Sequence, residues 1–83
     1  MKSIGLLSGI GRLPVEVAKA ARAMGIDVYA VGLVDGVEED LKNVATDFKS
    51  INVAQLGSII DYLNGKEVKV FCMIGKVTLV FFI

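Results

Sequence analysis

The stretch Ser8-Gly9-Ile10-Gly11-Arg12-Leu13-Pro14 constrains this chain more than any other. A short apolar run, Ile4 to Leu7, leads into it, and the clearest helical pattern in the sequence follows it. Strand, glycine-rich turn and helix open a nucleotide-binding βαβ unit. Gly9 and Gly11 carry no Cβ, so they allow left-handed backbone and the close approach of a ligand group. Pro14 fits a first helical turn, where its missing N–H costs nothing. No Ser, Thr, Asp or Asn stands near Arg12 and Leu13 to cap the helix. Its first N–H groups therefore need water or an anion as acceptor, and the helix dipole favours the anion. Pro14 replaces the third glycine of the GxGxxG pattern, so the turn fits phosphate binding and a plain tight connection alike.

The rest of the chain continues the alternation. Ser3 to Leu7 reads as a strand buried on both faces. A helix is predicted from about Pro14 to Met24, with Val17, Ala20, Ala21 and Met24 on one face and Gly25 as its stop. Asp27 to Leu33 is a second strand, rich in β-branched and aromatic residues. A turn at Asp35-Gly36 leads into a short helix whose first turn holds acids, as the dipole favours. Phe48 to Val53 is a third strand, and Asn52 followed by Gln55 has capping-box spacing. Leu56, Ile59, Ile60 and Leu63 mark a second amphipathic helix closed by Gly65. Gly57 inside that helix is costly, which points to a close packing contact or a ligand approach. Glu67 to Ile74 is the fourth strand, ending at Gly75-Lys76.

This order predicts an α/β, Rossmann-like fold: a parallel four-stranded sheet in the order 3-2-1-4 with helices on both faces. Two helical connections then fall on one face and a single helix on the other, so one face is short of cover. Composition agrees. The chain has 83 residues and is 54% hydrophobic before its nine glycines are counted, whereas soluble domains average roughly 45–50% with glycine included. A domain this small buries only about 60–65% of its unfolded surface, so the surplus points to a partner surface, either a second domain or a second subunit. Nine basic and nine acidic residues balance to zero without a basic block, which disfavours nucleic acid as a partner. There is no histidine, which removes imidazole from acid–base catalysis and metal binding. The single cysteine, Cys72, lies in an apolar run and reads as a buried core thiol in a reducing compartment. No secretory leader is expected from the first residues, since one Lys is followed by breaks at Gly5 and Gly9. The apolar run Val77 to Ile83 is too short for a membrane-spanning helix. A soluble cytoplasmic protein is expected.

Ligands of such sheets bind beyond the carboxyl ends of the strands, at the point where the strand order reverses. The candidate site is therefore Ser8, Gly9, Gly11 and Arg12, with Asp35 after the second strand and Gly75 and Lys76 after the fourth. Arg12 and Lys76 either add charge to an anion site begun by backbone N–H groups or remain solvated surface charges. Asp35 lies where a ribose-binding carboxylate of a dinucleotide fold would stand. Acids at a helix start are also common for dipole reasons alone. A metal site does not follow from these acids without a convergent partner.

Three motifs in order carry a family resemblance. These are Ile4-Gly5-Leu6 before Ser8-Gly9-x-Gly11-x-Leu13-Pro14, then Ala54-Gln55-Leu56-Gly57 opening a later helix, then Gly75-Lys76-Val77 after an apolar strand. Together they resemble the N-terminal domain of the UDP-2,3-diacylglucosamine pyrophosphatases of lipid A biosynthesis. The resemblance implies a two-domain protein that cleaves the diphosphate of a UDP-sugar lipid to the lipid monosaccharide phosphate and UMP, with a divalent metal, usually magnesium. It implies that residues 1–77 form the Rossmann-like first domain, which helps build the nucleotide-lipid site, with at most peripheral membrane association. The family's catalytic aspartate lies in a Glu-Gly-Thr-Asp motif of the second domain, and no such motif occurs here. The resemblance thus assigns this chain no catalytic residue, and expects magnesium to be held elsewhere. The tail 78–83 is atypical in its apolar content. The expectation is a truncated half of a two-domain protein, through frame shift, proteolysis or deliberate shortening. The alternative is an added strand, swapped or paired between chains.

Overall fold

The computed structural model describes residues 2–75. The elements run β1 (Ser3–Ser8), α1 (Leu13–Ala23), β2 (Asp27–Gly32), α2 (Asp40–Val44), β3 (Asp47–Ser50), α3 (Leu56–Gly65) and β4 (Phe71–Ile74). The four strands form one parallel sheet in the order β3-β2-β1-β4, as predicted. Register places Ser8 beside Gly32 on one side and Ile74 on the other, so three strands end level with one another.

Two apolar clusters sandwich the sheet. Leu6, Val28 and Ala30 face Val15, Ala18 and Ala21 of α1 and Leu41 of α2. On the other face Val31 and Leu33 meet Ile59 and Leu63 of α3, together with Ile51 and Val68. The period-two alternation of each strand is what divides its side chains between the two helical layers. Tyr62 ties α3 to the far strand, its hydroxyl donating to Asp47 at 2.6 Å, with Lys66 3.8 Å from the same carboxylate.

Both long helices end in the same way. In α1 the N–H of Gly25 donates to the Arg22 carbonyl and that of Ile26 to the Ala21 carbonyl, each at 3.0 Å, with Gly25 at φ 79°. In α3 the N–H of Glu67 donates to the Asn64 carbonyl and that of Val68 to the Leu63 carbonyl, again at 3.0 Å. This is the Schellman arrangement. Its left-handed position is filled in α3 by Glu67 at φ 58°. Gly65, expected to stop the helix, is its last residue instead.

The structure corrects five further expectations. The inward face of α1 is Pro14, Val15, Ala18 and Ala21, while Ala20 and Met24 are exposed. The face is turned by about one residue, or about 100°, because the turn that delivers the chain sets the helix phase and alanine content does not. Asn52 and Gln55 form no capping box: the Asn52 side chain accepts from the Ala54 N–H at 2.8 Å, and Gln55 makes no side-chain cap. That local bond is the Asx-turn alternative to capping. A Cβ at Gly57 would meet nothing within 4 Å, so no packing contact requires glycine there. β3 ends at Ser50 rather than Val53, and β4 begins at Phe71 rather than Glu67, since residues 67 and 68 are used in ending α3. Finally, Cys72 is exposed. Alternation puts it on the α1 face, but α1 packs over β1 and β2 and α2 over β3, leaving β4 uncovered there.

Candidate functional site

The glycine turn, the turn at Asp35 and the end of β4 all lie at the carboxyl end of the sheet. Ser8 closes β1 and is fully buried; its hydroxyl donates to the Leu6 carbonyl at 3.2 Å. Its own carbonyl accepts the Leu33 N–H at 3.0 Å, fastening β1 to the chain leaving β2. The Gly9 N–H donates to the Ile74 carbonyl at 2.9 Å. Gly75, at φ 104°, lies directly against Gly9. The two backbones thus meet directly where β1 and β4 end, with no side chain between them. Gly11, at φ 124°, faces open space.

The start of α1 is uncapped by any side chain, as expected. The Arg12 carbonyl accepts the Val15 N–H at 3.0 Å and the Glu16 N–H at 3.3 Å, so these two donors are satisfied internally. The N–H groups of Arg12 and Leu13 meet no protein acceptor among the described residues. Such donors at a helix N-terminus suit water or an anion.

A family model described as LpxI N-terminal domain matches residues 3–81. The chain belongs to that family. No curated protein matches it in sequence. The family match covers every strand and helix from β1 to β4 and runs past Val77 into the apolar tail.

The Arg12 side chain is already engaged by carboxylates. The Arg12 guanidinium lies 2.6 Å from Asp40, 3.8 Å from Glu38 and 3.6 Å from Glu16. The hydrogen bond from Arg12 holds the Asp40 carboxyl below the usual range, and the same bond raises the Arg12 pKa. All four side chains are solvent-exposed, so salt screens the cluster. Asp35 is exposed, and the neighbouring Gly36 packs beside the Ile10 side chain. Lys76 lies outside the described residues. The fold therefore brings Gly9, Gly11, Arg12 and Gly75 together at the carboxyl end of the sheet, with Asp35 on the neighbouring turn, whereas Ser8 is buried beneath them with its hydroxyl turned back to Leu6. Sequence reasoning missed the carboxylates around Arg12. Glu16 was legible as an i, i+4 partner, but Asp40, 28 residues away, was not. Among the described residues no three acidic or thiol groups converge as metal ligands, and no helix is long and apolar enough to cross a membrane.

A concavity lies on the α3 face of the sheet. It measures about 380 Å³ and is lined by Leu7, Leu56, Ile60, Leu63, Phe71 and Met73, among others. Leu56, Ile60, Phe71 and Met73 are each more than half exposed. This is the face that the element order left short of cover.

Proposed function

We propose that this chain is the nucleotide- and diphosphate-contacting domain of a UDP-2,3-diacylglucosamine pyrophosphatase-like protein of lipid A biosynthesis. The carrying observation is that the amides of Arg12 and Leu13, beside the Gly9–Gly75 contact, meet no acceptor among the described residues, supported by the family match over residues 3–81. In hydrolysis at phosphorus, negative charge develops on the phosphoryl oxygens, and oriented N–H donors stabilise it without reorganising. The backbone would bind and orient the diphosphate of the UDP-sugar lipid. Lys76, beyond the described residues, would add positive charge, and Arg12 would do so by exchanging a carboxylate partner for the phosphate. Magnesium, which the resemblance implies, does not fit the described residues: the nearest carboxylates, Glu16, Glu38 and Asp40, are turned to Arg12. No step is assigned to the metal here. The reading places the protein in the cytoplasm, with at most peripheral contact to a membrane and none to nucleic acid.

Titration of the purified chain with UDP, UMP and NAD tests this. Uridine nucleotides are expected to bind in preference to NAD, with negligible hydrolysis of UDP-diacylglucosamine. Preference for NAD would instead support a dinucleotide module using Asp35. Turnover near that of a two-domain relative would show that the catalytic centre has been misplaced.

The apolar concavity favours a second reading, a structural assembly domain whose α3 face meets a second domain or a second copy. Absence of any nucleotide binding, together with concentration-dependent dimerisation in sedimentation velocity, would favour it over the first.

A further inference from the structure

We draw no further inference here: the strongest candidate, the apolar cleft between α3 and β4, already belongs to the assembly reading, and nothing in the structure shows what covers it.

Discussion

Gly75 rests against Gly9 so closely that a β-carbon on Gly75 would stand 2.9 Å from the Gly9 carbonyl carbon and 3.0 Å from its nitrogen. The obstacle is backbone, which cannot swing aside, and Gly75 also sits at φ 104°. Gly75→Ala is expected to destabilise the domain by about 3 kcal/mol, the sum of a strained backbone and an overpacked contact. Gly57→Ala supplies the contrast. With open space around it in a helix, it should stabilise by about 0.5–1 kcal/mol. Urea midpoints of the two variants check both signs, and a neutral Gly75→Ala would refute the backbone contact.

The paired helix ends make a second test. Glu67 occupies the left-handed position of α3 that Gly25 occupies in α1. A left-handed non-glycine residue costs about 1–2 kcal/mol, part of which glycine returns through its freer unfolded state. Glu67→Gly should therefore raise stability by about 0.5–1 kcal/mol, and Gly25→Ala should lower it by about 1 kcal/mol. Thermal melts of the two variants should move in opposite directions.

Stability should depend on pH through Asp47 and Tyr62. The Tyr62 hydrogen bond, aided by Lys66, holds the Asp47 carboxyl below its ordinary value. A depressed folded pKa means that the unfolded chain takes up the proton first as pH falls. This contribution is full above the unfolded carboxylate value of about 4 and is lost as pH drops through the lower folded value. Burial, and then the bond to Asp47, push the Tyr62 phenol upward. Its contribution is full below about pH 10 and disappears as pH rises through the folded value. Tyr62→Phe should cost about 1 kcal/mol at neutral pH, less than the usual hydrogen bond to a charge because the Asp47 side chain is nearly half exposed. It should flatten both limbs of the stability–pH curve, and unchanged limbs would show that the pair does not couple to folding.

Arg12 separates function from stability. Its side chain is exposed and its ion pairs lie in water, where such pairs add little to folding. Arg12→Gln should leave the urea midpoint unmoved. UMP affinity should fall roughly three- to tenfold at low salt, with a smaller loss at high salt, if the guanidinium supplies charge to the anion. Isothermal titration at two salt concentrations reads both effects. A loss of folding instead would make Arg12 a structural link between α1 and α2.

Much of the molecule could be read from neighbouring residues. Ile4 to Leu7 before Gly9 and Gly11 announced β1 and its turn, Asp27 to Leu33 announced β2, and Ile59 with Leu63 announced the buried side of α3. The errors share a cause. Ala18 and Ala20 are indistinguishable by polarity, so the phase of α1 stayed hidden until the turn at Gly9–Arg12 was seen. Val68 looked like a strand residue, yet it closes α3 through its bond to Leu63. Cys72 looked like core because its neighbours are apolar, and it is exposed because no helix of that face packs over β4. At the site, the glycines and the missing cap were legible, whereas the acids gathered around Arg12 were not.

The alternation of elements, the parallel sheet and the uncapped start of α1 follow from residue order alone, since periodicity, glycine placement and absent caps are local properties of the backbone. Folding in three dimensions added what locality cannot contain. It pressed Gly75 onto Gly9 and brought Asp40 to Arg12 across 28 residues. Such contacts depend on how separate elements pack, and packing is settled by the shapes of both partners together.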